Sequence, residues 1–553
     1  MKLKACIGIG FLITMAQLLL GPYTNYSPIV GSDAWFPTGY FVNFTDLLWR
    51  TGPLYYVSRL PYTLPGIATY LVFTPKVANF LLNLASLGVS ITALLVIASR
   101  GLDRRWAVAL AILFVTNAYL LTANLSDYPD GPAVAYFLAG YAIASDERHW
   151  LSRAAGALLA IGACWMCAFL TNMIIGLLIA PAAFYVMLYP RPSRQEVIFR
   201  AATMLLGAVL ILLPLMVVSR FVLGVWFFPA PQISQLVYAA ERPNYLPDMW
   251  GRGTAWLAGS YRLVALYGPM LVGTACLFSR RLRTPDFVAT LAMCVAAGLF
   301  FVAAELADKV LLRAPRHSSY LIAFSFILTI KLVQKVASGQ DSAPDERYGP
   351  FVMALLSVTA TFVLSHTVEE PHATWIILGV GVILLAAAIL VPGLLKVRAT
   401  ATALAAFMVL NLSTGFDLRV IYTDTSDVFT AVMNTQSLLA SGHLRHRKLQ
   451  FWFDQDDPQW AVFQVVVNLY TRGYYIDFTA KLPAFNADEL REYMPPGVVV
   501  IHLCSAACPL EARDAVMRSV GIGPLSSYSW RVSTDGGTAF NVIMEDTQPN
   551  RGP

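Results

Sequence analysis

Thirteen apolar stretches, most of them long enough to cross a lipid bilayer, follow one another up to residue 414. A membrane-spanning helix needs roughly 17–25 predominantly apolar residues. Only 13% of the chain is charged, whereas a soluble domain carries about a quarter. Because these charges are too few to cover a water-exposed surface, lipid must solvate most of the chain. The expected spans are 5–21, 76–98, 106–123, 132–145, 154–170, 172–189, 201–222, 261–279, 287–304, 318–334, 350–367, 373–391 and 399–414.

The basic residues between these stretches predict how the chain is oriented. Arg and Lys cluster in every second connection, and such clusters mark the cytoplasmic side. We therefore expect a multi-pass protein of the inner (plasma) membrane with a cytoplasmic N-terminus, whose net charge of +6 serves topology and not nucleic-acid binding. The expected cytoplasmic clusters are Arg100, Arg104 and Arg105; Arg148 and Arg153; Arg191, Arg194 and Arg200; Arg280, Arg281 and Arg283; Lys331, Lys335 and Arg347; and Lys396 and Arg398.

A change of pattern near residue 415 predicts two domains. Residues 1–414 would form an all-α polytopic transmembrane bundle with a long first outer loop, 22–75. Residues 415–553 contain strand-like alternation at Val498–Leu503 and Ala539–Ile543. An odd number of spans places this second part outside the cytoplasm, and we expect it to be an α/β or α+β domain.

Asp33 lies in the first expected outer loop, within the segment 31–36 (Gly-Ser-Asp-Ala-Trp-Phe). Partial desolvation among aromatic residues raises the pKa of a carboxyl group toward the range that suits a general base. The alternative is a solvated aspartate that caps a short helix.

Two more acids, Asp127 and Asp130, lie in the second outer loop, 126–132 (Ser-Asp-Tyr-Pro-Asp-Gly-Pro). Two carboxylates around a proline turn can converge on a divalent cation (Mg²⁺, Mn²⁺ or Ca²⁺) or on a substrate hydroxyl. In the alternative, Asp130 and Pro132 simply begin the next helix, and both roles are compatible.

Arg316 and His317 precede the tenth expected span on its outer side, and Lys309 lies shortly before them. Positive charge there contradicts the usual bias. Basic groups at the start of a helix suit a phosphate, because the helix dipole adds positive potential. Contact with anionic lipid headgroups is the alternative, and Arg59 in the first loop raises the same question.

The order of these elements resembles a known group of membrane enzymes. Asp33 is followed by 51–56 (Thr-Gly-Pro-Leu-Tyr-Tyr), then by the acidic loop 127–133, and later by 316–320 (Arg-His-Ser-Ser-Tyr). This arrangement resembles the GT-C superfamily of glycosyltransferases, which includes aminoarabinose transferases for lipid A and protein O-mannosyltransferases. Many members have paired acids in the first loop. Here Ala34 follows Asp33, so Asp127 or Asp130 could share its work.

The resemblance implies a GT-C fold and an inverting transfer of a hexose or pentose from a polyprenyl-phosphate carrier. The acceptor would be an envelope glycolipid, polysaccharide or protein at the outer face of the membrane. By the same resemblance, the catalytic acids would be Asp33, Asp127 and Asp130, of which Asp127 and Asp130 could hold the cation. The donor phosphate would be held by Arg316, His317, Lys309 and Arg59, and the substrate would be contacted by Tyr55, Tyr56 and Tyr320.

A lipid or solute transporter, or a flippase, is the alternative from another class. Transporters place ionisable residues near the bilayer midplane, often in broken helices related by inverted repeats. In this sequence the acids gather at the outer ends of the spans instead. That distribution favours chemistry at the membrane surface.

The topology is directly testable with reporter fusions. A reporter fused after Arg105 should be found in the cytoplasm, and one fused after Gly415 should be found outside, because eleven expected spans, an odd number, separate the two sites. Phosphatase and fluorescent-protein fusions measure this in cells. If both reporters lay on the same side, the orientation would be wrong.

Overall fold

The computed structural model describes residues 1–20, 35–52, 55–125, 129–145, 154–189, 192–241, 266–267, 269–270, 273–274, 277, 283–307, 309 and 315–337, and the backbone of five segments between 448 and 546. Two compact units make up the chain. The first holds residues 1–23, 53–65 and 76–422, and the second holds 24–52, 66–75 and 423–553. The expected spans 350–367, 373–391 and 399–414 lie outside the described residues, and so does most of 261–279.

Helices account for nearly all of the described part of the first unit. Their bounds are α1 Leu3–Leu20, α2 Trp35–Thr51, α3 Leu60–Val72, α4 Pro75–Ser99, α5 Arg104–Val115, α6 Ala118–Leu125, α7 Asp130–Ala144, α8 Ala154–Thr171, α9 Gly176–Leu188, α10 Arg194–Val222, α11 Ala230–Glu241, α12 Pro285–Leu306 and α13 Pro315–Ala337. Of these, α2 and the second half of α3 fall in the second unit.

Helix α13 forms the centre of the first unit. Every residue from Tyr320 to Ile330 is at most 1% exposed, so no face of this stretch reaches solvent or lipid. It packs against α6, α7 and α12, and Phe324 lies 5.3 Å from Phe137 of α7, centroid to centroid. A helix that is apolar on nearly every side is stable either in lipid or in the core of a protein, and this stretch is in the core.

Helices α8 and α10 approach each other through glycine. A side chain on Gly162 would overlap the carbonyl group of Met204, and one on Gly207 would overlap that of Leu159. The two backbones therefore touch directly, as at the small-residue interfaces of membrane helices. The rest of α10 is largely uncovered, and its exposed side chains are those that lipid would solvate.

Four helices among the described residues are long and apolar enough to cross a membrane, namely α1, most of α4, α10 and α12. Helices α5 and α6 form a fifth candidate if they are counted as one bent span. The bend between them is 67°. Asn117 stabilises it, since its side-chain oxygen accepts hydrogen bonds from the backbone N–H groups of Tyr119 (3.0 Å) and Leu120 (3.3 Å). The expected span 106–123 is thus two helices in the structure, while the total of thirteen spans stays a prediction.

The second unit contains a five-stranded mixed sheet. Its strands are β1 Lys448–Phe453, β2 Ile476–Thr479, β3 Val498–Cys504, β4 Tyr528–Ser533 and β5 Ala539–Asp546. They lie in the order β2-β1-β3-β5-β4. Strand β1 pairs in parallel with β2 and β3, and β5 pairs antiparallel with β3 and β4. The helices expected for this part lie outside the described residues, so its α/β or α+β class and the domain boundary near 415 stay predictions.

An ion pair joins α12 and α13 at the end of α13 that carries Lys331. The Lys331 ammonium lies 2.9 Å from the Asp286 carboxylate, and the two side chains are only 11% and 17% exposed. Tyr185 of α9 donates a hydrogen bond of 3.2 Å to the other oxygen of Asp286. Three helices are therefore tied together at one buried carboxylate.

Removing the cation from this pair should destabilise the protein. Lys331→Met leaves the Asp286 carboxylate buried without its countercharge, which costs about 3 kcal/mol. The double variant Lys331→Met/Asp286→Leu should recover most of that loss, because it leaves no buried charge. Thermal unfolding in detergent measures both. Equal destabilisation by the single and the double variant would mean that the pair contributes only packing.

Candidate functional site

Asp130 is the first residue of α7, and its side chain is 1% exposed. The chain reaches this position through a close contact between the end of α6 and the start of α7. A Cβ atom on Gly131 would lie 2.5 Å from the carbonyl oxygen of Ala123, so only glycine fits there. The side chain of Asp130 is thereby held at the helix N-terminus, where the dipole favours a negative charge.

Asp130 is the centre of a buried polar cluster with Asn172 and Tyr320. The side-chain amide of Asn172 donates to Oδ1 of Asp130 at 2.9 Å. The hydroxyl of Tyr320 donates to the same oxygen, and it also accepts from Asn172. Asn172 and Tyr320 are 4% and 0% exposed. Two donors, one from the break between α8 and α9 and one from α13, therefore converge on one carboxylate oxygen, an arrangement that fixes its orientation.

Asn172 performs a second task with its other amide atom. Its side-chain oxygen accepts from the backbone N–H of Ile174 at 3.2 Å and so caps the short 3-10 turn Met173–Ile175 between α8 and α9. The residue has extended backbone angles, which end α8 at Thr171. One side chain thus breaks the helix and holds Asp130. The expected spans 154–170 and 172–189 correspond to these two short apolar helices.

Gln232 of α11 connects this break with the segment just before α3. Its side-chain nitrogen donates to the carbonyl oxygens of Ser58 and Leu170, each at 3.1 Å. Gln232 is buried, and its two amide hydrogens are both used. The segment that carries Arg59 is therefore held next to Leu170 at the end of α8. Leu170 lies two residues before Asn172.

Arg59 is fully buried, and its guanidinium group lies over the ring of Tyr55 at 4.0 Å from the centroid. This cation–π contact offsets part of the cost of removing the charge from water. Tyr56 packs edge-on against Tyr55, with ring centroids 5.1 Å apart. The structure thus groups three of the sequence-predicted residues, Arg59, Tyr55 and Tyr56, in one aromatic turn.

The remaining predicted residues are described only in part. Lys309 is half-buried, and its backbone N–H donates to the carbonyl of Ala304 at the end of α12. A cation suits the negative end of a helix dipole, which is an ordinary stabilising role. Asp33 and Asp127 lie outside the described residues, and so do the side chains of Arg316 and His317, whose backbone begins α13.

The described residues do not by themselves form a cation site. No group of three or more His, Cys, Asp or Glu side chains occurs among them. Mg²⁺ and Ca²⁺ take six or more oxygen ligands, whereas Oδ1 of Asp130 already accepts two hydrogen bonds. A divalent cation held by Asp127 and Asp130 stays a prediction, and we derive no step through it.

Sequence reasoning missed Asn172 and Gln232. Asn172 separates two apolar runs with only Thr171 beside it, and an amide in such a place is costly unless it is hydrogen-bonded. That cost is the signal that could have identified it. Gln232 lies between two expected spans, where a polar residue is ordinary, and the sequence holds no comparable signal for it.

No protein-family model matches the chain, and no characterised protein is detectably similar to it in sequence. Among solved structures it is similar to the oligosaccharyltransferase AglB from Archaeoglobus fulgidus in complex with an inhibitory peptide and a dolichol-phosphate. That likeness has a TM-score of 0.50 and 11% identity, and it covers 100% of this chain and 75% of AglB. The chain has a GT-C fold.

Two further structures give weaker likenesses to the chain. ArnT from Cupriavidus metallidurans in the apo state matches at a TM-score of 0.49 with 14% identity over 97% of each chain. A second Archaeoglobus fulgidus oligosaccharyltransferase structure, in complex with Zn and sulfate, matches at 0.40 with 12% identity over 99% of this chain and 74% of that one. The GT-C fold that the sequence predicted is confirmed, and the described helices have the length and apolar character that a multi-pass membrane protein needs.

The hydrogen bond from Tyr320 to Asp130 should be worth more than an ordinary one. Bonds to a charged group contribute about 1.5–3 kcal/mol and neutral ones about 0.5–1.5 kcal/mol. Tyr320→Phe should therefore lower the free energy of unfolding more than Tyr136→Phe. That matched variant removes only a 3.2 Å bond from another tyrosine to the carbonyl of Pro61.

Chemical or thermal unfolding in detergent makes the comparison. Combining Tyr320→Phe with Asp130→Ala in a double-mutant cycle isolates the pairwise energy. A cycle without coupling would show that the two groups do not interact.

Proposed function

We propose that this chain is a glycosyltransferase that moves a sugar from a polyprenyl-phosphate carrier to an envelope acceptor at the outer face of the membrane. The observation that carries the proposal is the buried carboxylate of Asp130, which Tyr320 and Asn172 hold at the end of a helix bundle with a GT-C fold. The solved relative AglB is described as an oligosaccharyltransferase and contains a dolichol-phosphate, which is a lipid phosphate of this class.

The reaction is a displacement at the anomeric carbon. An acceptor hydroxyl oxygen attacks C1 of the donor sugar, and the bond from C1 to the phosphate oxygen breaks. The phosphate leaves on its lipid with the electron pair, and the configuration at C1 inverts. The proton of the acceptor hydroxyl passes to Asp33, which acts as general base and contributes roughly 10²–10⁴ in rate.

Asp130 has the role of a positioning acceptor for the donor sugar. One of its oxygens is occupied by the two donors, so the carboxylate is fixed before substrate binds. A fixed acceptor for a sugar hydroxyl lowers the entropic cost of orienting C1 toward the attacking oxygen. Asp127, three residues earlier, contributes to the same hydroxyl or to a cation.

The departing lipid phosphate would be bound by the basic residues on the outer side. Arg316 begins α13 together with His317, where the helix dipole reinforces their charge. Arg59 supplies a guanidinium that is already desolvated against Tyr55 and can hold two phosphate oxygens at once. Lys309 adds a point charge at the end of α12. Tyr55, Tyr56 and Tyr320 would contact the sugar or the first prenyl unit.

Turnover in detergent tests the proposal. The purified protein is given short-chain prenyl-phosphate hexoses and pentoses with candidate acceptors, and release of the prenyl phosphate is measured. Asp33→Asn should reduce release by about 10²-fold or more and leave donor binding intact, because an amide cannot accept the proton. Asp46→Asn, which changes another acid of the first loop, is the matched control and should retain wild-type release.

One result would contradict the proposal, and another would contradict only the role of Asp33. Wild-type protein that binds none of these donors would exclude the lipid-phosphate substrate. Asp33→Asn with more than about a tenth of the wild-type rate would remove Asp33 as base while leaving the glycosyltransferase assignment intact. Native mass spectrometry for a co-purifying prenyl-phosphate sugar gives an independent reading of the donor.

A further inference from the structure

Helix α10 ends in a fixed turn that redirects the chain. Gly224 has a positive φ of 74°, and its carbonyl accepts a hydrogen bond from Arg220. The hydroxyl of Ser219 donates to the carbonyl of Val225 at 2.7 Å. Just before this turn Phe221 is 84% exposed, on a helix long and apolar enough to cross the membrane. The turn therefore leaves a surface that lipid solvates.

The exposed apolar surface continues beyond the turn onto α11. Trp226 and Phe227 are both exposed directly after it. Within α11, Ile233, Leu236 and Val237 are exposed and lie on one face, because they are spaced three and four residues apart. Leaving such a row of side chains in water is unfavourable, because each Å² of exposed apolar surface costs about 25 cal/mol relative to burial.

The adjoining face of α11 points into the protein. Gln232 is 2% exposed, and Phe228, one turn earlier, is fully buried. The two hydrogen bonds of Gln232 reach the carbonyls of Ser58 and Leu170. Leu170 lies at the end of α8 next to Asn172, which binds Asp130. These contacts hold α11 at the same end of the helices as the candidate site.

We propose that α11 lies flat in the membrane interface, with Ile233, Leu236 and Val237 inserted among the acyl chains of the leaflet next to the candidate site. The continuity with the lipid-facing side of α10 identifies the occupant of this face as lipid. Trp226 and Tyr238 stand at the two ends of the surface, and these two residue types concentrate where a membrane meets water. An amphipathic helix at this depth buries its apolar side at the headgroup boundary.

Insertion of α11 would not depend on the charge of the lipid. Its only charged residue is Glu241, its last, and it contains no Lys or Arg. A neutral phosphatidylcholine leaflet should therefore suffice, in contrast to helices that bind anionic headgroups. Since Gln232 belongs to the same helix, a change in how deeply α11 lies would be transmitted directly to the carbonyls beside Arg59 and Asn172.

Spin-label scanning in phosphatidylcholine nanodiscs tests this arrangement. The full chain, with its seven cysteines replaced, carries one new cysteine at a time from 233 to 238. Accessibility to oxygen, which partitions into lipid, should peak at 233, 236 and 237. Accessibility to a water-soluble nickel complex should peak at 234. Uniform access of the nickel complex along the helix would mean that α11 lies in water, and immobilised labels at 233, 236 and 237 would mean that protein covers the face. Either result would overturn the proposal.

A matched pair of charge variants provides a second test of whether α11 is inserted. With the label at 233, Leu236→Glu should shift that position from oxygen access to nickel access, because a carboxylate does not remain among acyl chains. Ser234→Glu adds the same charge on the water side and should leave the label unchanged. If neither or both variants shifted the label, the face would not be inserted. The result does not depend on the reaction that the protein catalyses.

Discussion

In a bilayer a polar group that gives up water has to find its partner within the protein, and this constraint shapes two of the breaks between the described helices. Where α5 gives way to α6, the amide of Asn117 caps the new helix. Where α8 gives way to α9, Asn172 does the same with its oxygen and turns its nitrogen toward Asp130. At each of these breaks, therefore, a side chain hydrogen-bonds to the backbone N–H groups that the break leaves without a partner.

The hydrogen bonds of Asn172 link this local turn to the candidate site. The same amide that satisfies the start of the 3-10 turn also orients a carboxylate 42 residues away in sequence. If the turn were straightened into a continuous helix, the nitrogen would leave Asp130. The position of Asp130 is consequently a property of three helices together, and the sequence around Asp130 alone does not determine it.

Much of the architecture follows from the sequence because lipid enforces simple patterns. Helices α1, α4, α10 and α12 coincide closely with apolar runs, since a span needs only length and the exclusion of charge. The position of Asp130 at the start of a helix was also predictable, from the proline and glycine that follow it.

In contrast, no local pattern pairs Asp130 with Tyr320 or Lys331 with Asp286, because these contacts join distant helices whose packing depends on side-chain shape. The bend at Asn117 was missed for a related reason, since a single amide within an apolar run leaves the hydropathy almost unchanged.

The burial of residues 320–330 within α13 has a consequence for how the protein is made. Tyr320 lies 190 residues after Asp130, and a ribosome adds about 5–20 residues per second, so roughly 10–40 s pass between them. During that interval α6 and α7 are in the membrane without the helix that later fills the space between them and α12. The core closes only when α13 arrives, with the phenol that completes the polar cluster. A chain that stops before residue 315 would keep most of the described apolar helices but lack α13, the helix around which they pack.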